Sequence, residues 1–370
     1  MNIGVLTSSR ADYGIYLPLL NKLVEDPYFN LEIVAFGTHL SKSHGFTVDE
    51  IKQIKFSKIH KITTLLSNDD ESSIATSYGL TVIKFADFWS KNKFDLVFCL
   101  GDRFEMSAAV QAGIPFGIKY AHIHGGETTL GAIDNIYRHQ ITLASLLHFT
   151  ASDFFTKKVI ELLGTSKNVY TVGSLSLADI QNFSPINKVA FLEKYNIPNE
   201  DFILATFHPE TNAFAQNANF AIVMRKALSQ IAKDWVIIFT MPNADTLGSI
   251  YRSEISKLKL DYPSQVICIE NFGKENYFTA MYYSKLMIGN TSSGIIEAAS
   301  FRKFVVNIGD RQKGRAQSNN VYNTPYDENE IIAKFNLALS YNEFNGENIY
   351  CKKNTIELIV KNLKTFHETL

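Results

Sequence analysis

Three carboxylates and two histidines are the residues of this chain best suited to moving protons. Asp102 stands in Gly101-Asp102-Arg103, directly after an apolar run. His122 and His124 alternate ahead of Gly125-Gly126-Glu127, and Asp134 is followed by Arg138 and His139. A carboxylate at the mouth of a crevice, partly withdrawn from water, suits general acid–base work. Asp134 fits a second role equally well, as the N-cap of the helix carrying Arg138 and His139. His122 and His124, two apart on a strand, share a face, which invites a metal reading with Asp102 and Glu127. No HExxH or comparable ligand spacing accompanies them, so satisfied core histidines explain them as well, and no metal is expected.

A second set of residues suits an anion. Gly289-Asn290-Thr291-Ser292-Ser293-Gly294 brings small and hydroxyl-bearing residues to the start of a helix. Backbone N–H groups and the helix dipole favour a phosphate there, although a plain Ser N-cap gives the same pattern. Arg10 and Arg311, read as lying at neighbouring strand ends, favour the phosphate, because a guanidinium matches phosphate oxygens geometrically. His208, held before Pro209, can bond a phosphate or a ribose, or be a simple turn histidine. Glu297, one helical turn on, can accept from ribose hydroxyls or be a solvated helix carboxylate. Arg103, Arg138, Asn290 and Gly294 complete the candidate binding set. No GxGxxG opens the first strand–helix turn, and neither GxxxxGK[ST] nor GxSxG occurs; dinucleotide binding, P-loop and serine-hydrolase readings lose their usual support.

The elements that must position these residues alternate. Short, nearly continuous apolar runs at 3–7, 31–36, 96–100, 120–124, 147–150 and 169–172 read as buried strands. A second series follows at 202–207, 236–240, 266–269, 286–288 and 305–308. Helical patterns lie between them, at 15–24, 76–89, 103–112, 134–145, 153–163, 218–232, 277–283 and 295–299. This alternation predicts an α/β fold with parallel sheets and right-handed crossovers. Ligands then bind beyond the carboxyl ends of the strands, so the polar residues just after each strand are the ones to inspect. With 370 residues and roughly 150 per domain, two Rossmann-like domains are expected, at 1–173 and 174–354. An amphipathic segment at 355–370 is poised to cross back to the first.

Composition narrows the partners. The net charge is −1, so nothing global suggests nucleic acid or an anionic membrane. Cys99, Cys268 and Cys351 are far apart and form no CxxC, as in a reducing compartment. The N-terminus reads as a strand rather than a signal peptide, and no apolar run approaches the roughly 20 residues that span a bilayer. A cytoplasmic protein is expected.

Taken in order, these stretches resemble the hydrolysing UDP-N-acetylglucosamine 2-epimerases. The resemblance is strongest to the NeuC-type branch that starts bacterial sialic and related nonulosonic (legionaminic) acid synthesis. It rests on Ser9-Arg10-Ala11-Asp12-Tyr13-Gly14, Leu100-Gly101-Asp102-Arg103, His122-Ile123-His124-Gly125-Gly126-Glu127, Asp134 through Arg138-His139 and Val172-Gly173-Ser174. It continues through His208-Pro209-Glu210, Asn243-Ala244-Asp245-Thr246, Gly289 through Gly294, and Asn307 through Arg315. The resemblance implies a glycosyltransferase-B type fold, with the active site in an interdomain cleft and the nucleotide mainly on the second domain. It implies that Ser292, Ser293, Arg10, His208 and Arg311 hold the diphosphate and Glu297 the ribose, and that Asp102, Glu127 and Asp134 lie at or beside the catalytic acids. The implied reaction needs no cofactor: UDP is eliminated to give a glycal, which is then rehydrated. Relatives are commonly dimers or tetramers. Many carry a glutamate where His124 stands, which opens the division of labour between His124 and Glu127. The same chemistry on a UDP- or GDP-linked 2,4-diacetamido-2,4,6-trideoxyhexose is the nearest alternative. A glycosyltransferase, a non-catalytic nucleotide-sugar binder and a metal-dependent hydrolase are alternatives of other classes.

Overall fold

Strands apolar on both sides need cover on both faces, and the chain supplies it twice. The computed structural model describes all residues except 42–45, 52–55, 67, 69, 129, 131–132, 242–247, 271 and 370, and the side chains of 211 and 212. The stretch Asn243–Thr246 therefore lies outside the described residues. Two compact units form. Unit 1 comprises Met1–Glu127, Asp134–Asp179 and Tyr350–Leu370; unit 2 comprises Thr128–Ile133 and Ile180–Ile349.

Unit 1 holds seven parallel strands: β1 (Asn2–Thr7), β2 (Asn30–Phe36), β3 (Lys58–Ile62), β4 (Leu96–Leu100), β5 (Tyr120–Ile123), β6 (Leu147–Thr150) and β7 (Val169–Thr171). Their order is β3-β2-β1-β4-β5-β6-β7. Successive side chains point to opposite faces. Ile3, Val5, Ile33, Leu96 and Phe98 thus enter a core with the helix Arg10–Glu25, while Leu6, Val34, Val97 and Cys99 meet Phe85, Trp89, Met106 and Val110 on the other side. The C-terminal helix Thr355–Glu368 places Ile359, Leu363 and Phe366 in the first of these cores.

Unit 2 repeats the plan with β8 (Phe202–Thr206), β9 (Val236–Thr240), β10 (Val266–Ile269), β11 (Met287–Gly289), β12 (Val305–Ile308) and β13 (Val321–Thr324), in the order β10-β9-β8-β11-β12-β13. All are parallel. Both sheets reverse their winding once, between β1 and β4 and between β8 and β11. Ligand crevices of open α/β sheets form at such reversals.

The division falls at 179/180 rather than 173/174 because Leu175 is buried in the unit 1 core and Ala178 packs against it. The chain returns at Tyr350, whose carbonyl accepts the Ser174 N–H at 2.8 Å. The strands without a sequence signal are β3 and β13. Both are edge strands, and their partly exposed residues break the apolar run. Replacing the fully buried Leu363 by Ala is expected to cost unit 1 about 2–5 kcal/mol of stability. Urea unfolding followed by hydrogen exchange would read this loss in unit 1 amides. A change under about 1 kcal/mol would show that this helix is not part of the unit 1 core.

Candidate active site

In unit 1 the segments after β4 and β5 carry the candidate acids, and the loop after β1 leads to Arg10. The first loop is closed by Asp12, whose carboxylate accepts the Ser8 and Ser9 N–H groups at 2.8 and 2.7 Å and the Ser9 hydroxyl at 2.7 Å. Asp12 also completes a capping box with Ser9. Sequence reasoning did not single out Asp12; its position three residues after a serine is the signal that could have revealed it. Arg10 starts the helix, half exposed, with its guanidinium 3.3 Å from Glu50.

Asp102 follows β4, and its carboxylate is gripped by Nη2 of Arg138. Arg138 is buried, and its Nη1 donates to the His124 carbonyl at 2.7 Å. Arg138 therefore braces the acid loops, joining the Asp102 carboxylate to the His124 carbonyl. Arg103 turns to the buried Glu105, at 2.9 Å, and is likewise engaged within unit 1.

The two histidines do not share a strand face. β5 ends at Ile123, and His124 turns away with φ +64°. Its Nε2 accepts the Leu175 N–H at 3.2 Å. An accepting Nε2 puts the ring proton on Nδ1, which faces Glu127 Oε1 at 3.6 Å. Both side chains are buried. The turn between them needs Gly126, at φ +79°, where a Cβ would lie 2.6 Å from the Phe155 carbonyl oxygen. His122 stays in the core, bonded to Gly101 O and Thr142 Oγ1. Asp134 is the first helical residue of Asp134–Ala144, not the residue before it, and is half-buried. Among the described residues no three His, Cys, Asp or Glu side chains converge as a metal ion would require.

In unit 2 the anion candidates gather beyond β8, β11 and β12. Asn290 is fully buried. Its amide accepts the His208 N–H at 2.7 Å and donates to the His208 carbonyl at 2.8 Å. Its own carbonyl accepts from Arg311 Nη1 at 3.1 Å and Gln312 Nε2 at 2.9 Å. Asn290, expected as a ligand, thus joins three loops with its polar groups. Glu210 Oε1 accepts the Asp310 N–H at 2.8 Å and holds the third loop in place. Thr291 is the N-cap of the helix Ser292–Ile296 and makes no side-chain cap bond, so the serines are helical residues rather than caps. Ser293 Oγ lies 2.6 Å from the Tyr277 hydroxyl. Gly294 is buried close to Val305, and its smallness serves helix–strand packing. Glu297 is buried and so is not a solvated helix carboxylate. Arg10 follows β1 in the unit 1 sheet and Arg311 follows β12 in the unit 2 sheet, so their strands are not neighbours in one sheet.

A model of the UDP-N-acetylglucosamine 2-epimerase family matches residues 21–364. The chain is 32% identical over 366 residues to an Escherichia coli polysialic acid biosynthesis protein P7, covering 98% of this chain and 93% of the relative. The chain belongs to the hydrolysing UDP-N-acetylglucosamine 2-epimerase family. It is 34% identical over 321 residues to a Campylobacter jejuni GDP/UDP-N,N'-diacetylbacillosamine 2-epimerase (hydrolyzing), covering 86% and 83% of the two chains. The fold matches a Neisseria meningitidis UDP-GlcNAc 2-epimerase bound to UDP-GlcNAc, with TM-score 0.81 at 17% identity over 99% of this chain and all of the other. The two-sheet architecture is thus the glycosyltransferase-B type of these epimerases.

Electrostatics separates the residues of this epimerase further. Burial, and then the Arg311 charge, push the His208 imidazole down to about 3. Burial raises the Glu210 carboxyl, against the opposing pull of the Asp310 and Arg311 N–H groups. His208 therefore meets a ligand as a neutral ring. Its unfolded counterpart protonates near 6.5, so acid favours the unfolded chain: His208 contributes stability above 6.5 that is lost as pH falls toward 3. Histidine NMR should show the His208 ring unprotonated from pH 8 to 4.5. A titration midpoint near 6.5 would contradict this environment.

Proposed function

We propose that the chain is a hydrolysing 2-epimerase converting UDP-N-acetylglucosamine to N-acetylmannosamine and UDP. The carrying observation is the contrast between the two reversal points. Unit 1 offers Asp102, Glu127, Asp134 and His124, braced by buried groups. Unit 2 offers hydroxyls, an arginine and a neutral histidine on loops tied to one another.

In the proposed reaction a unit 1 group takes the proton from sugar C2 while the C1–O bond to UDP breaks. The electron pair of the C2–H bond becomes the C1–C2 double bond of a 2-acetamidoglucal. Water then adds its hydroxyl to C1, and C2 regains a proton on the opposite face. Two acid–base groups on opposite sides of the ring are needed. Asp102 is one of them, its carboxylate oriented by Arg138. Glu127 and Asp134 supply the second, and His124 orients Glu127 through the proton on Nδ1. The leaving diphosphate gathers charge as the bond breaks. Ser292, Ser293, Arg311 and Arg10 answer that charge, the neutral His208 adds a hydrogen bond, and Glu297 takes the ribose. Protons and electrons balance without a cofactor. The reaction belongs in the cytoplasm, where cysteines in a chain without any CxxC stay reduced.

The Campylobacter jejuni relative favours a second reading, the same reaction on a UDP- or GDP-linked 2,4-diacetamido-2,4,6-trideoxyglucose. An NMR time course in deuterated water, run separately with each nucleotide sugar, tests both. The expected products from UDP-N-acetylglucosamine are UDP and N-acetylmannosamine carrying deuterium at C2. Turnover of the diacetamido substrate alone would transfer the assignment to the second reading. Sugar release without deuterium at C2 would end both. Asp102→Asn is expected to lower turnover by about 10²-fold or more while UDP affinity stays; equal loss of both would make Asp102 structural.

A further inference from the structure

Asp102 needs a fixed backbone as well as a fixed carboxylate, and Arg138 provides only the second. The peptide leading into Asp102 is the Gly101 carbonyl joined to the Asp102 nitrogen. Gly101 sits at φ +75° just past β4, with its N–H donating to Ile123 O at 3.1 Å. The next bond beyond the ladder comes from His122. Its Nε2 lies 2.9 Å from Gly101 O, and its Nδ1 lies 3.0 Å from Thr142 Oγ1 on the helix Asp134–Ala144. Both side chains are fully buried.

The donor roles follow from the partners. A carbonyl can only accept, so the Nε2 of His122 carries the proton. Its Nδ1 is then an acceptor, and the Thr142 hydroxyl donates to it. Burial holds the ring well below its ordinary range and hence neutral. The Gly101 carbonyl thus sets the tautomer, and the Thr142 hydroxyl, which can donate or accept, adapts to it and holds the ring by its second nitrogen. Gly125 makes room for the pair. A Cβ there would come within 3.0 Å of His122 Nδ1 and 3.3 Å of Thr142 Oγ1. That gives the Gly125-Gly126 step a role beyond the turn into Glu127.

We propose that His122 and Thr142 are a positioning pair for Asp102: the Thr142 hydroxyl holds the His122 ring in place by donating to Nδ1, and the ring's Nε2–H fixes the peptide that aims the acid. The proposal rests on the reading of Asp102 as an acid–base group.

Thr142→Val keeps the shape and removes the donor. It is expected to lower kcat by roughly 10- to 10²-fold, as small misplacements of a reacting group do, with KM and UDP affinity nearly unchanged. Thr142→Ser is expected to restore most of the loss. Nitrogen-15 NMR of the unaltered protein should show His122 as a neutral ring with its proton on Nε2 from pH 8 to 5. That reading does not depend on any variant folding. A proton on Nδ1, or a Thr142→Val variant with unaltered kcat, would overturn the proposal. If Asp102→Asn were also fully active, the reading of Asp102 would fail as well. If Asp102→Asn were inactive and Thr142→Val normal, only the positioning pair would fail.

Discussion

The buried amide of Asn290 is the constraint on which unit 2 depends. It sits where the winding of the sheet reverses, and strands at a reversal send their helices to opposite faces, leaving an open crevice. The ladder's last bond across the reversal is the Asn290 N–H to Thr206 O at 3.0 Å, and the loops beyond it need other ties. Asn290 supplies them with a donor and an acceptor in one planar group, matched to the N–H and C=O of His208. Its own carbonyl takes Arg311 and Gln312 from the next loop. A buried polar group satisfied this fully specifies one arrangement, since each lost partner leaves an unpaired group away from water.

Unit 1 solves the same problem with charge. Arg138 reaches from a helix to the Asp102 carboxylate and the His124 carbonyl, joining the ends of β4 and β5. A guanidinium fits because its donors leave in a fixed fork. Breaking such a buried pair is costly, because it strands a charge in the interior. In His124 one ring nitrogen takes the Leu175 N–H, so only Nδ1 is left to face Glu127.

Much of this could be read from the sequence because apolar runs and strand-end polar residues are local signals. Buried central strands such as β4 and β8 announce themselves, and the residues following them fall at carboxyl ends by topology alone. What could not be read is which atoms the folded chain uses up. Arg103, Arg138 and Asn290 have the chemistry of ligands, and each also bonds within its own unit, to Glu105, Asp102 and the His208 backbone. Glu105 is only two residues from Arg103, but Asp102 lies 36 residues from Arg138 and His208 lies 82 from Asn290, beyond any local pattern. The alternation of His122 and His124 misled for a related reason: the positive φ at His124 ends the strand one residue early, and period two no longer applies. Edge strands β3 and β13 were hidden because an exposed edge carries polar residues that interrupt the run.

The central claim is that the loops tied together by Asn290 form the diphosphate site while the acids of unit 1 perform the chemistry. A crystal structure with UDP bound tests it most directly. The account expects diphosphate oxygens about 3 Å from the Ser292 hydroxyl and the Arg311 guanidinium, with the Asn290 amide still paired to His208. A diphosphate bound instead by Arg103 and Arg138, or an Asn290 amide turned away from His208 toward the phosphate, would contradict it.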